Sequence, residues 1–103
     1  MIKILVACAN GAGSSLMMKM AVEKAMKQLG IKVSEIHHCA LAEGVSSARQ
    51  YDLVFAAQNF LNMYEDAMKQ GVKVLGLRNV LSDKEVVQKM NESGYTELFL
   101  SKQ

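Results

Sequence analysis

Four short runs of aliphatic and β-branched residues, at positions 2–7, 31–36, 52–57 and 72–77, constrain this chain more than any other feature. Each has the length of a single strand. Their starts lie about twenty to thirty residues apart, too far for hairpins and right for strands joined by helical crossovers. The first and third runs are apolar almost without interruption, as strands are when helices cover both faces of a parallel sheet. Between the first two runs Met18, Ala21, Val22, Ala25 and Leu29 recur at helical spacing, while Lys19, Glu23, Lys24 and Lys27 fill the other face. Gly30 marks the end of that helix, and Gly71 repeats the helix–glycine–strand order around residues 68–74. Ser82 with Glu85 three residues on has the form of a capping box; it predicts a helix that carries Val86, Val87 and Met90 and ends at Gly94. The tail, residues 95–103, suits a packed turn, a helix or an edge strand equally.

Alternating strands and helices with right-handed crossovers predict an α/β fold, a three-layer sandwich around a parallel sheet. The chain of 103 residues has the size of one domain, spanning 1–103, and no linker interrupts it. Half its residues are hydrophobic and 21% are charged, a globular composition. Twelve basic residues against ten acidic ones leave +2 with no basic run, which argues against a nucleic-acid partner. The apolar opening is too short to span a membrane and runs into a glycine-rich loop, so neither membrane insertion nor a secretion signal is expected. A cytoplasmic setting follows, in which Cys8 and Cys39 stay thiols.

The most informative stretch is Cys8, Ala9, Asn10, Gly11, Ala12, Gly13, Ser14 and Ser15, between the first strand and the first helix. Gly11 and Gly13 permit backbone angles closed to other residues, so successive N–H groups can turn inward as a nest for an anion. The helix that follows adds its positive dipole end and unpaired N–H groups, and Ser14 and Ser15 add hydroxyl donors. Together these form a phosphate cradle. Donors that bind phosphate also stabilise a thiolate, which makes Cys8 a candidate nucleophile. The competing reading is a small buried hydrophobe at a strand end. Two glycines and two serines directly after Cys8 favour the chemical reading, since a mere turn needs no such array of donors.

Known phosphate motifs differ from this loop. A nucleotide-binding loop needs Lys and Ser or Thr after its last glycine, whereas Gly13 precedes Ser14, Ser15 and Leu16. A dinucleotide fingerprint needs a third glycine where Leu16 stands. The low-molecular-weight tyrosine phosphatases place an arginine at the position of Ser14; without that guanidinium, hydrolysis of phosphate esters loses its main source of charge neutralisation. Keeping the phosphate and passing it on then becomes the better reading, with a cysteine-dependent phosphatase or arsenate-reductase-like enzyme as the alternative and a non-catalytic regulatory module as a third. Cys39 is the potential resolving thiol of the redox version. His37, His38 and Cys39 follow the second predicted strand; adjacent residues there point to opposite sides and no fourth ligand is evident, so no metal or cofactor is expected. Arg78, after the fourth strand, faces either the rim of the site or solvent. Met17, Met18 and Met20, beside the loop, suit an adaptable contact surface.

The loop from Cys8 to Ser15, the Met18–Lys19–Met20 triplet and the stretch 76–82 together resemble the IIB components of the bacterial sugar phosphotransferase system, of the ascorbate type grouped with lactose-type and galactitol-type proteins. The likeness covers most of the chain. It implies a four-stranded parallel sheet in the order 2-1-3-4 flanked by helices, as in low-molecular-weight tyrosine phosphatases. It also implies a protein-phosphocysteine–sugar phosphotransferase activity. In that family a phosphohistidine on a IIA protein phosphorylates the cysteine matched here by Cys8, with residues 9–15 binding the phosphate as backbone and hydroxyl hydrogen-bond donors. The phosphoryl group then passes to a sugar-like substrate, here ascorbate, held by a membrane IIC transporter during uptake.

Overall fold

The computed structural model describes residues 2–8, 12–79 and 81–101, with residues 8 and 12–15 described as backbone. Strands β1 (Ile2–Cys8), β2 (Val33–Ala40), β3 (Leu53–Ala57) and β4 (Lys73–Leu77) form one sheet in the order β2-β1-β3-β4. Every neighbouring pair is parallel, as the strand spacing requires. Helices α1 (Ala12–Leu29), α2 (Leu41–Ser47), α3 (Glu65–Lys69), α4 (Asp83–Ser93) and α5 (Tyr95–Ser101) connect and cover the strands.

The alternation of side chains along the strands divides the core into two layers. On one face Ile4, Val6, Leu53, Phe55 and Leu77 pack with Met18, Val22 and Met26 of α1 and with Val86, Met90 and Phe99 of α4 and α5. On the other, Leu5, Ala7, Val54 and Ala56 pack with Leu41 of α2, Tyr64 and Ala67. Ile4, Leu5, Val6 and Ala7 are all fully buried, which explains the unbroken apolarity of the first run after Lys3.

Glycine ends three of the helices as expected. Gly30 takes φ 77°, its N–H bonds Lys27 O at 3.3 Å and the next N–H, of Ile31, bonds Met26 O at 3.1 Å. Gly71, at φ 96°, repeats the arrangement with Met68 O at 3.0 Å and with Val72 N–H on Ala67 O at 3.0 Å. Both are Schellman motifs, open to glycine because of the left-handed φ. Gly94 closes α4 at φ 79°.

The second strand differs from its expected bounds of 31–36. Ile31 belongs to the Schellman turn and is buried there, so β2 starts two residues later, at Val33, and continues to Ala40. His37, His38 and Cys39 therefore lie inside the strand, paired with Leu5, Val6 and Ala7 of β1, and do not follow it. An edge strand keeps one side in solvent, so polar residues do not terminate it. A bulge at Ser34 separates the pairs Ile2–Val33 and Lys3–Glu35, and the Ser34 hydroxyl donates to Ile2 O at 3.1 Å.

The tail resolves as a helix because Phe99 is pulled into the α1 layer, 1% exposed, with Tyr95 edge-on to it at 6.3 Å. Helix α2 had no sequence signature of its own. It sits close to the sheet at Gly44, where a Cβ would lie 3.0 Å from Ala7 Cβ and against the Tyr64 hydroxyl. That hydroxyl donates to Leu41 O at 3.3 Å and has no room to withdraw.

Two stability changes follow. Gly44→Ala should overpack the α2 interface and cost about 1–3 kcal/mol in urea unfolding. Phe99→Ala should cost about 3–5 kcal/mol by emptying the end of the α1 layer. A tail docked only loosely would leave the second midpoint unmoved.

Candidate functional site

Cys8 is the last residue of β1, paired with Ala40 at the end of β2. The chain leaves β1 towards β2 on one side, while β3 and β4 lie on the other, so the strand order reverses beside Cys8. In open α/β sheets that is where ligands bind, beyond the carboxyl ends of the strands. Ala9, Asn10 and Gly11 lie outside the described residues. Ala12, Gly13, Ser14 and Ser15 form the first turn of α1 and are not part of the loop. The helical pattern shows only from Met18 because small residues carry no periodicity. The first four N–H groups of a helix have no intrahelical acceptor, so this turn brings its donors to the end of β1. Gly13 is helical, so its contribution is such a donor and not a left-handed bend.

The far rim is built from the ends of β3 and β4. Ala57, Gln58, Asn59, Leu77 and Arg78 line a cleft of about 280 Å³. Arg78 Nε donates to Gln58 Oε1 at 3.2 Å, which holds the guanidinium along this rim. Glu85 was expected to close a reciprocal capping box with Ser82. Half of that box exists: Ser82 Oγ accepts from Glu85 N–H at 3.2 Å. The Glu85 carboxylate instead accepts from Arg78 N–H at 2.8 Å and Asn79 N–H at 2.7 Å, tying the segment after β4 to the start of α4. Gln58 and Asn59 escaped the sequence reading because nothing in a lone Gln-Asn pair signals a rim; only the parallel order of β3 and β4 brings them to Arg78.

The three methionines beside the loop separate. Met18 is fully buried in the α1 layer and is no part of a contact surface, whereas Met17 and Met20 stand 52% and 57% exposed next to Leu16. Cys39 is buried, and its thiol is pushed up to about 11, first by burial and then by the nearby Glu43 carboxylate. A thiol so held is protonated near neutral pH and attacks disulfides poorly, which weighs against its service as a resolving cysteine.

Comparison with known proteins speaks to the family and the fold. Residues 3–92 match the family described as "PTS system, Lactose/Cellobiose specific IIB subunit". The "Ascorbate-specific PTS system EIIB component" of Salmonella typhimurium is 32% identical over 91 residues, 88% of this chain and 87% of that protein. The protein of the same description from Mycoplasma pneumoniae is 25% identical over 89 residues, covering 86% of this chain and 90% of its own. A lactose-specific IIB component domain from Streptococcus pneumoniae superposes with a TM-score of 0.64 over 88% of this chain and 95% of its own. At 22% identity that likeness speaks for the fold. With the matched family model running from β1 into α4, this chain belongs to the lactose/cellobiose-specific IIB subunit family of the sugar phosphotransferase system.

Proposed function

We propose that the chain is the phosphocarrier of a sugar phosphotransferase system: Cys8 takes a phosphoryl group from a phosphohistidine on a IIA protein and hands it to ascorbate bound by a membrane IIC transporter. The observation that carries this reading is the position of Cys8. It ends the central strand at the strand-order reversal, directly before the N-terminus of α1, in a chain of the IIB family. Ascorbate comes from the specificity that the relatives from Salmonella typhimurium and Mycoplasma pneumoniae carry in their names.

In the accepting step the Cys8 thiolate attacks phosphorus in line. The S–P bond forms as the N–P bond breaks, and the histidine leaves with the bonding electron pair. The N–H groups of Ala12, Gly13, Ser14 and Ser15, with the backbone of Ala9, Asn10 and Gly11 and the two serine hydroxyls, hold the phosphoryl oxygens as charge redistributes. In the donating step a substrate hydroxyl attacks the same phosphorus: the O–P bond forms as the S–P bond breaks, the sulfur leaves as thiolate and the hydroxyl proton passes to solvent. No arginine clamps the group at Ser14, which suits a carrier that must release its phosphate to a partner. On this reading the chain meets the transporter at its cytoplasmic face; among the described residues no helix is long and apolar enough to cross a membrane. Leu16, Met17 and Met20 form the exposed apolar strip of α1 next to Cys8 on which the partners dock in turn.

Incubation with phosphoenolpyruvate, the general phosphotransferase proteins and a phosphorylated IIA protein should add one phosphoryl group to the Cys8 peptide, read by intact and peptide mass spectrometry. Cys8→Ser should add none. An unmodified wild-type chain beside a demonstrably phosphorylated donor would overturn the relay. Met17→Glu combined with Met20→Glu should slow transfer from the donor by about tenfold or more with an unchanged circular dichroism spectrum, since each buries a charge at the interface; equal rates would remove the strip from the docking surface. Brief iodoacetamide treatment near neutral pH should label Cys8 and spare Cys39, and preferential labelling of Cys39 would contradict the assigned nucleophile.

A further inference from the structure

The β2 strand carries a second group of reactive side chains that the phosphoryl chemistry does not use. His37 and Cys39 are two residues apart on an extended strand, so they share the face that looks towards α2. The strand ends at Ala40 and α2 begins at Leu41 with no loop between, which folds Glu43 of the first helical turn back over that face. One ligand atom from each of His37, Cys39 and Glu43 lies within 4.8 Å of the others.

We propose that His37, Cys39 and Glu43 form a binding site for a zinc-type divalent cation. Imidazole, thiolate and carboxylate are a zinc donor set, and a cation such as Mg2+ or Ca2+ would not choose a thiolate. Tetrahedral coordination with bonds of about 2.0–2.3 Å needs ligand atoms about 3.3–3.7 Å apart. The Cys39 sulfur is fixed in the core beside Ala7 and Tyr64, while the side chains of His37 and Glu43 are 44% and 60% exposed and free to close the remaining ångström. These two already face each other, with His37 Nε2 at 3.7 Å from Glu43 Oε1. The His37 ring lies nearly parallel to that of Tyr51, 13° between planes with centroids 6.3 Å apart. Water fills the fourth position from the solvent side. Binding breaks the S–H bond of Cys39, forms a metal–sulfur bond and releases that proton to solvent; His37 binds through a neutral nitrogen. The site has no signature in the sequence around the His-His-Cys run. His38 points to the other face, and the missing carboxylate comes from a helix with no signature.

Titration with Co2+ alone, followed by absorption, tests the assignment. One equivalent should give a sulfur-to-cobalt charge-transfer band and tetrahedral d–d bands, and Zn2+ should displace both. The bands should persist in Cys8→Ser, which separates this site from the phosphocarrier cysteine, and the charge-transfer band should vanish in Cys39→Ser. If Cys39→Ser fails to fold, His37→Gln and Glu43→Gln, both with exposed side chains, should each weaken binding by more than about a hundredfold, the upper end of what loss of an outer-shell partner brings. Wild type without a charge-transfer band, bands lost in Cys8→Ser, or affinity unchanged in both exposed variants would each overturn the site.

Discussion

The burial of β1 on four sides is the constraint on which the rest of the molecule depends. Its backbone is hydrogen-bonded to β2 on one edge and β3 on the other, and Ile4, Leu5, Val6 and Ala7 lose all contact with water between two helical layers. A strand so placed can shift register only by moving apolar residues across the sheet, which would turn every side chain to the wrong layer. Cys8 is the last residue of that strand, and α1 packs Met18, Val22 and Met26 over it.

Around this fixed point the other elements are stopped by local devices. Schellman turns at Gly30 and Gly71 deliver the chain into β2 and β4, with Ile31 buried directly after the first. Beyond β4 the stop is made by a carboxylate: Glu85 takes the N–H groups of Arg78 and Asn79 while the Ser82 hydroxyl takes that of Glu85. One acidic side chain thus secures both the exit of a strand and the start of a helix. The Arg78 guanidinium, held by Gln58, stays on the rim of the sheet as a result.

The two faces of the sheet differ in what they leave available. The α1 face is closed by large aliphatic side chains and by Phe99. The α2 face is thinner, with Ala7, Ala48, Ala56 and Gly44 allowing close approach, and it keeps a buried hydroxyl and a buried thiol, Tyr64 and Cys39. Short α2 and α3 suit that thinner layer, because small side chains let backbone approach backbone. This is also why the polar stretch around His37 remains in the sheet: β2 is an edge, and its outer half needs no apolar cover.

What the sequence determined by itself was everything whose cause is local or periodic. Near-continuous apolarity marked β1 and β3, three glycines marked helix ends, Ser82 marked a helix start, and the order of Cys8, glycines and serines marked the candidate site. The tertiary structure alone decided what depends on meetings between distant segments. It extended β2 through His37, His38 and Cys39, because only pairing with β1 tells an edge strand from a polar loop. It made the tail a helix, because Phe99 needed a core to enter. It sent Met18 inward while leaving Met17 and Met20 outside, redirected the Glu85 carboxylate to the segment after β4, and set Glu43 against His37 and Cys39. Helical and strand periods are properties of neighbouring residues, whereas these placements arise from packing between segments far apart in the chain, and composition and spacing do not encode them one residue at a time.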